Sequence, residues 1–159
     1  MILFCEDCGK KNLLNSIEFI AGKPVFRCSF CGYPSPYHFR PQEVRLIEKA
    51  DLFFKEARSF PETLGIFLYH KELGVLKHDM PEILKKADLD FVGKNLMQSY
   101  MINQSWLGDV TEMALFVADK HMVVKLMGDS LFIIIACKSA ILPRTISEKL
   151  FQLNAHGAS

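Results

Sequence analysis

Apolar residues recur at helical spacing in three stretches of the chain. The first begins at Pro41, a residue that a first helical turn tolerates, and ends before Phe60–Pro61. A second runs from Leu89 to about Trp106, and a third follows Pro143 in "LPRTISEKLFQL". Because apolar side chains three or four residues apart share one helix face, each stretch predicts an amphipathic helix. In the first stretch the apolar positions are Val44, Ile47, Ala50, Phe54 and Ala57.

Other stretches have the pattern of β-strands. "LGIFLYHKELGVLKHD" at Leu64–Asp79 contains an apolar run, a turn near Lys71–Gly74 and a second short run, which predict a β-hairpin. Three more strands are predicted, and the short polar turns "DK" and "GD" separate them: Val110–Ala118, His121–Met127 and Ser130–Lys138. The last of these is almost entirely apolar and is expected at the centre of the sheet. In the middle strand, His121 and Lys125 lie on the face opposite to Met122, Val124 and Leu126.

From Pro41 onward the predicted order is helix, two strands, helix, three strands, helix. One five-stranded antiparallel sheet with helices packed on it provides short connections and an apolar face for every element, so we expect an α+β fold. This fold would occupy residues 41–153, after a small module at residues 1–38. The last residues, 154–159 ("NAHGAS"), are expected to form a flexible tail.

Two similar segments at the start, "FCEDCGKKN" and "FRCSFCGYP", each contain Cys-x-x-Cys-Gly. The spacing of Cys5 with Cys8, and of Cys28 with Cys31, aims both sulfurs of each pair at one point, so that four thiolates surround a single ion. The glycine after each pair suits a tight knuckle with a positive φ. Between the pairs lie 19 residues, enough for a strand, a turn at Ala21–Pro24 and a returning strand.

Zinc is the metal that four thiolates at this spacing favour. The alternatives without metal are two disulfides or two reduced buried pairs, and iron in a rubredoxin-like site fits the same signature. Four protein sulfurs close a tetrahedral coordination sphere and leave no position for water, so we expect a structural metal. A segment of about 40 residues buries too little surface to fold alone, and metal binding on the order of 10 kcal/mol supplies the deficit.

By these residues, Met1–His38 resembles the zinc-ribbon class, whose members bind nucleic acid, connect proteins or brace enzymes. The basic residues Lys10, Lys11, Lys23 and Arg27 are offset by Glu6, Asp7 and Glu18. No pronounced basic surface is therefore expected. Six aromatic side chains suit either stacking on bases or the small core of the module: Phe4, Phe19, Phe26, Phe30, Tyr33 and Tyr37.

The larger region, Pro41–Leu153, resembles the roadblock / dynein light chain family in its element order and in two segments. "GIFLYHKELGVL" is similar to the family's glycine-containing hairpin, and "MALFVADKHMVVKLMGDSLFIII" to its three-strand meander with Gly-Asp before the last strand. A profilin-like or longin-like relative would have the same general layout. The resemblance implies binding rather than catalysis, because roadblock-like proteins pair into homodimers in which sheets and second helices abut.

The paired helices of that family offer a platform to small Ras-like GTPases or act as scaffolds. Carried over to this chain, the resemblance makes Met97, Tyr100 and Met101 on the second predicted helix the candidates for the partner or dimer surface. Methionine suits such a surface because its flexible side chain adapts to a partner.

Composition and charge exclude several classes of protein. With 19 basic and 18 acidic residues among 159, the net charge of +1 provides no field that would pull the whole molecule onto nucleic acid or an anionic membrane. The start, "MILFCEDCGKK", lacks the pattern of a signal peptide, and "SLFIIIAC" at Ser130–Cys137 is too short to span a bilayer. Five cysteines, four of them in tight pairs, suit a reducing compartment, so a cytoplasmic protein is expected.

Motifs for catalysis are absent from the sequence. It has no Gly-x-x-x-x-Gly-Lys-Ser/Thr loop, no Gly-x-Ser-x-Gly elbow and no His-Glu-x-x-His pair. His70 and His78 flank the predicted hairpin turn, so they either face each other or are exposed to solvent or packed in the core. Cys137 is expected to be a buried structural thiol.

We therefore expect a non-enzymatic, dimeric interaction module with a structural zinc ribbon, which acts as a scaffold or regulator of a small Ras-like GTPase. The alternative is a zinc-ribbon protein that binds nucleic acid or takes part in transcription and is dimerised by its C-terminal domain.

Overall fold

The structure, a computed structural model, describes residues 2–13, 17–21, 23–108, 110–117, 119–139 and 141–153, and the predicted tail at 154–159 lies outside them. The chain divides into two compact units, Met1–Arg40 and Pro41–Ser159. They are named here the N-terminal unit and the C-terminal unit.

In its described residues, the N-terminal unit has five short strands in two sheets. Strands β1 and β2 form an antiparallel pair, and β3, β4 and β5 form a three-stranded antiparallel sheet in that order. Their bounds are Ile2–Phe4, Lys11–Leu13, Ile17–Ile20, Lys23–Arg27 and Pro34–Pro36. The strand, turn and returning strand predicted between the cysteine pairs are confirmed as β3 and β4, with Ala21 in the turn at φ 49°. Strands β1, β2 and β5 were not predicted, since three residues are too few to show a period.

Where the structure describes it, the C-terminal unit is a five-stranded antiparallel sheet with three helices. In chain order its elements are α1 (Pro41–Ala57), β6 (Thr63–His70), β7 (Gly74–Asp79), α2 (Lys86–Leu107), β8 (Glu112–Val117), β9 (Lys120–Met127), β10 (Leu131–Cys137) and α3 (Arg144–Gln152). The strand order across the sheet is β7-β6-β10-β9-β8. The predicted fold class and element order are confirmed, and so is the central position of the last strand.

Helix α2 begins three residues earlier than the pattern of apolar residues predicts. Its first turn carries Asp88, whose carboxylate accepts a hydrogen bond of 2.9 Å from the backbone N–H of Lys85. This bond satisfies one of the free polar groups at the helix start, as a capping residue does. Because the turn is polar and exposed, the helical period of buried residues starts only at Leu89.

The sheet is covered on both faces. Helices α1 and α3 pack on one face, in a cluster that includes Phe54, Ile133 and Ile146, and α2 packs on the other with Phe67 and Phe132. Every residue of β10 is buried because it is the central strand between two helical layers. Helix α2 packs closely against the sheet, since a Cβ at Gly93 on α2 would overlap the ring of Tyr69 on β6.

Lys125 lies inside this arrangement. It is on the face of β9 opposite to Met122 and Val124, as its sequence position predicts, but that face is covered by helices and only 3% of the residue is exposed. Its Nζ lies 5.4 Å from the ring centre of Phe151 on α3. The long apolar stem allows this burial, since it packs in the core while the ammonium meets an aromatic face.

A buried polar network ties α1 to the sheet. The Glu43 carboxylate accepts a 2.6 Å bond from the Ser130 hydroxyl and a 3.3 Å bond from Nε2 of His70. Nδ1 of His70 accepts from the backbone N–H of Glu72 and of Leu73, which places the ring proton on Nε2.

The two hairpin histidines do not face each other. His78 is exposed and pairs across the hairpin with Phe67, whereas His70 pairs with Gly74 and is buried. Within the described ranges, no helix has both the length and the apolar character that crossing a membrane requires.

Candidate functional site

The first cysteine pair lies in the turn between β1 and β2. The backbone N–H of Gly9 donates to the carbonyl of Cys5 at 3.0 Å, and the N–H of Cys5 donates to the carbonyl of Lys10 at 3.0 Å. The N–H of Cys8 points at the Cys5 sulfur, 3.5 Å away. These bonds close a tight knuckle that turns backbone donors toward sulfur.

The second pair repeats this geometry between β4 and β5. The N–H of Gly32 donates to the carbonyl of Cys28 at 2.9 Å, the N–H of Cys28 donates to Tyr33 at 3.0 Å, and the N–H of Phe30 lies 3.4 Å from the Cys28 sulfur. Gly9 and Gly32 have φ of 69° and 74°, the left-handed region that glycine adopts without strain. The repeated sequence therefore folds into a repeated structure.

The four sulfurs of the two knuckles converge on one point. Those of Cys5 and Cys31 are 3.6 Å apart, those of Cys8 and Cys28 are 3.7 Å apart, and all four lie within 4.8 Å of one another. Sulfurs bound tetrahedrally at about 2.3 Å from a zinc ion are about 3.8 Å apart. A disulfide needs about 2.05 Å, and all four thiols are free. The arrangement suits a shared ion, and metal binding by these residues stays a prediction.

Two thiols of the cluster have shifted pKa values, in opposite directions. Burial opposes ionisation of Cys28, but N–H groups of Cys31 and Phe30 and the side chain of Asn12 outweigh it and lower the pKa of Cys28 to about 6. The Tyr33 N–H lowers the pKa of Cys31, but burial and the three neighbouring sulfurs raise it to about 12. Four adjacent thiolates repel one another, so they are all ionised only with a cation among them.

Asn12 connects the two knuckles and was not identified from the sequence. Its amide nitrogen donates to the carbonyl of Lys10 at 2.8 Å and lies 3.5 Å from the Cys28 sulfur. Its amide oxygen accepts from the N–H of Ser29 at 2.9 Å and from the Ser29 hydroxyl at 2.7 Å. The residue is buried. Only the fold shows this role, because asparagine after a knuckle is also an ordinary turn residue.

The sulfur cluster rests on a small apolar core. Cys5 and Cys28, the first cysteine of each knuckle, are buried with Phe26, and Leu3 packs against them. Cys8 and Cys31 are exposed. A set of four sulfur donors completes tetrahedral coordination, and such sets are typical of structural sites rather than catalytic ones.

The three candidates for a partner surface have different environments. Tyr100 is 0% exposed: its hydroxyl donates to the carbonyl of Val110, and its ring lies 5.6 Å from that of Phe132 in an edge-on contact. Met97 is partly buried against the same cluster, and Met101 is exposed. Tyr100 is therefore a core residue of the single chain, and Met101 lies at the surface.

The fifth cysteine, Cys137, is buried in β10, as the sequence predicts. Burial raises the pKa of its thiol to about 11, and the nearby Glu62 carboxylate adds to the effect. A thiol in this state is a poor nucleophile, as expected of a structural cysteine.

Solved structures with the same architecture include MglB proteins and a roadblock/LC7 domain. Myxococcus xanthus MglB superposes with a TM-score of 0.55 at 8% identity, over 74% of this chain and 88% of that chain. The roadblock/LC7 domain from Streptomyces avermitilis gives 0.53 at 14%, over 65% and 89%. The C-terminal unit has the roadblock fold. A third structure, MglB with a tetrameric arrangement, gives 0.52 at 14%, over 77% and 92%.

At these identities the likeness shows only the fold of the C-terminal unit, which is called the roadblock unit from here on. No protein-family model matches the sequence, and no curated protein matches it either.

The roadblock unit exposes an apolar surface at the C-terminal half of α2. No charged residue occurs between Lys94 and Gly108, although much of this part of the helix is exposed. A helix surface without charge is unusual in solvent and typical of contact regions. The absence of charge is the signal that would have located it from the sequence. The exposed apolar residues, called here the α2 surface, are Met101, Ile102, Trp106 and Leu107.

Proposed function

We propose that this protein is a non-enzymatic, dimeric interaction module that regulates or scaffolds a small Ras-like GTPase in the cytoplasm. The observation that carries the proposal is the α2 surface on a roadblock fold. Trp106 is 85% exposed and Ile102 is 60% exposed. Covering these apolar side chains with a partner removes them from water, which favours binding. Tryptophan is among the residues that dominate binding energy at interfaces.

The α2 surface is continuous with an edge of the sheet, which favours self-association. Strand β8 is the outermost strand, and the side-chain amide of Asn103 on α2 lies 3.8 Å from the sulfur of Met113 on β8. An open edge strand beside an apolar helix offers both hydrogen bonds and apolar area to a second copy. The resemblance to the roadblock family implies the same pairing of sheets and second helices, and a related MglB forms a tetrameric arrangement.

The partner class comes from the family resemblance. Roadblock-like proteins present their paired helices to small Ras-like GTPases, and the uncharged α2 surface supports a protein partner at the corresponding place. In the N-terminal unit we assign one structural zinc ion to Cys5, Cys8, Cys28 and Cys31, because four sulfurs at 3.6 and 3.7 Å spacing fit its coordination. Iron can bind the same four sulfurs in the same tetrahedral geometry and is the alternative metal.

Replacing Ile102 with Glu tests the proposed function. A carboxylate buried in the pairing surface should weaken the dimer on the order of 100-fold, so that light scattering at micromolar concentration gives the mass of one chain instead of two. Capture of small Ras-like GTPases, loaded with GDP or a GTP analogue, should be lost in parallel.

Leu52→Glu is the matched control. Leu52 is 64% exposed on α1, which packs on the opposite face of the sheet, so the same change there should leave mass and GTPase binding unaltered. A mass of two chains for the Ile102 variant, or a single-chain mass for the unmodified protein, would refute pairing through α2.

Exposed aromatic side chains on the N-terminal unit favour a second candidate function, binding of single-stranded nucleic acid. Phe4, Phe30 and Tyr33 are exposed, and Nζ of Lys10 lies 4.7 Å from the ring centre of Phe30. Aromatic rings with a nearby cation suit stacking on bases. Against it, Arg27 is paired with Glu18 at 3.3 Å, which reduces the basic surface.

A salt titration separates the two functions. Nucleic-acid affinity should fall steeply between about 50 and 200 mM salt if this candidate is correct. The proposed scaffold should give no binding above background to single-stranded DNA or RNA at either salt concentration.

A further inference from the structure

The four cysteines of the sulfur cluster differ in their access to solvent. Cys8 and Cys31, the second cysteine of each knuckle, are exposed, whereas Cys5 and Cys28 are buried. Oxidants react with the thiolate form of cysteine, and a thiolate that binds a metal is already ionised. A small oxidant dissolved in water therefore meets a reactive sulfur first at Cys8 or Cys31.

Each exposed sulfur has a buried neighbour in the other knuckle. Sγ of Cys31 lies 3.6 Å from Sγ of Cys5, and Sγ of Cys8 lies 3.7 Å from Sγ of Cys28. A disulfide needs about 2.05 Å, so the two sulfurs of either pair must approach by about 1.6 Å. Distance alone does not decide which of the two pairs forms a bond more readily.

Hydrogen bonds distinguish the two buried sulfurs. Among the described residues, the Cys28 sulfur has three donors around it. They are the N–H of Phe30 at 3.4 Å, the side-chain amide of Asn12 at 3.5 Å and the N–H of Cys31. The Cys5 sulfur has one, the N–H of Cys8 at 3.5 Å. Donors that bond to a sulfur withdraw electron density from it, so Cys28 is the poorer nucleophile of the two.

The two exposed sulfurs do not differ in this way. Each has one backbone N–H beside it, that of Lys10 for Cys8 and that of Tyr33 for Cys31. The buried member of each pair therefore decides which pair reacts. Because Cys5 is the less hydrogen-bonded of the buried sulfurs, the contact between Cys31 and Cys5 is favoured.

We propose that Cys31 and Cys5 form an oxidation site that reacts with hydroperoxides and becomes a disulfide between the two knuckles. The Cys31 thiolate attacks one peroxide oxygen, the O–O bond breaks and hydroxide leaves, so that the sulfur becomes a sulfenic acid. The Cys5 thiolate then attacks this sulfur, the S–O bond breaks and a second hydroxide leaves. The two thiolates lose two electrons, which one hydrogen peroxide gains, and protonation of the hydroxides gives two molecules of water.

The disulfide would make zinc binding reversible by oxidation. It removes two of the four sulfur donors, so the remaining two bind zinc only weakly. It also keeps the two knuckles joined, because it links residues on either side of β3 and β4. A disulfide within one knuckle would leave the knuckles free to separate. A thiol reductant cleaves the bond between Cys5 and Cys31 and restores all four ligands.

Peroxide treatment of the full-length, zinc-loaded chain tests this site. One equivalent of hydrogen peroxide should release one zinc per chain to a chromophoric chelator, and a thiol reductant should allow zinc to bind again. After the remaining thiols are blocked, cleavage at Glu6 and at Phe30 places the four ligand cysteines on separate peptides. Mass spectrometry should find the Cys5–Cys31 bond about tenfold more abundant than Cys8–Cys28, since two hydrogen bonds separate the buried sulfurs.

The zinc content before oxidation separates this inference from the proposed zinc site on which it rests. A chain that binds no zinc before peroxide is added would overturn both. A zinc-loaded chain that keeps its zinc, forms mainly Cys8–Cys28 or forms a disulfide within one knuckle would overturn only the oxidation site.

A variant of Asn12 tests the reason for the selectivity. Asn12→Ala removes one donor from the Cys28 sulfur, so with zinc in excess the share of Cys8–Cys28 should rise about fivefold. Ser29→Ala is the matched control, because it removes a bond to Asn12 but keeps the amide donor, and its product ratio should stay unchanged. An unchanged ratio in Asn12→Ala would refute selection of the pair by hydrogen bonds.

Discussion

At the scale of single residues, Asn12 controls the candidate metal centre without being a ligand. One carboxamide group bonds to the backbone of its own knuckle, to the backbone and hydroxyl of Ser29, and to the sulfur of Cys28. Groups that orient metal ligands in this way typically change metal affinity by about 10–100-fold when they are removed. Asn12 should therefore matter nearly as much as a cysteine.

Asn12→Asp removes the two contacts that the amide nitrogen makes as a donor, with the Lys10 carbonyl and with the Cys28 sulfur. The aspartate keeps an oxygen that accepts from Ser29 but replaces the amide donor with a second, charged oxygen beside the Cys28 sulfur. We expect zinc affinity to fall about 10–100-fold in competition with a chromophoric chelator at neutral pH.

Ser29→Ala serves as the control for this change. It removes one bond to Asn12 and leaves the amide donor to Cys28 in place, so its loss of affinity should be smaller. If Asn12→Asp binds zinc as tightly as the unmodified chain, the amide donor of Asn12 has no role in metal binding.

At the scale of elements, the helices and long strands of the C-terminal unit follow from their periodic patterns. The predicted helix from Pro41 and the hairpin match α1, β6 and β7 within a few residues. The patterns fail where an element is short or its end is polar: β1, β2 and β5 have three residues each, and the first turn of α2 contains no buried residue. The ends of such elements are set by capping hydrogen bonds and by strand pairing, and neither produces a periodic pattern of apolar residues in the sequence.

The two knuckles are elements that the sequence predicts closely. Each needs only the Cys-x-x-Cys-Gly order, because the turn is closed by bonds within six residues and by a glycine at positive φ. The two knuckles meet only because the antiparallel strands β3 and β4 return the chain, so that the second knuckle lies beside the first. Tyr100 shares helical spacing with Met97 and Met101 but lies in the core, and the partner surface itself stays a prediction.

At the scale of the whole molecule, the two units differ in the interactions that stabilise their folds. The N-terminal unit has a small buried core of Cys5, Phe26 and Cys28, with Leu3 against it. The roadblock unit has two large apolar clusters, one on each face of the sheet. We expect a small unit of this kind to need a bound metal for its stability, whereas the larger unit is stabilised by apolar burial.

Cys28→Ser should therefore affect one unit only. Loss of one thiolate should release the metal, unfold residues 2–40 and leave the roadblock unit folded. Metal analysis should give less than one zinc per chain, and amide NMR signals should collapse to random-coil positions in the N-terminal unit alone.

Cys137→Ala is the matched control for that variant. Cys137 is buried in β10 and belongs to the other unit, so its replacement should keep one zinc per chain. A Cys28→Ser protein that retains its full metal content would show that the ligand assignment is wrong.

The order of the elements, the α+β class and the fold of each Cys-x-x-Cys-Gly knuckle follow from local patterns, because periodicity, turn residues and the spacing within a cysteine pair act within a few residues. The bridging role of Asn12, the buried Glu43–His70–Ser130 network and the sulfur contacts between the two knuckles depend on residues distant in sequence. No local pattern encodes such contacts, since they arise only when the folded strands and helices bring separate side chains together.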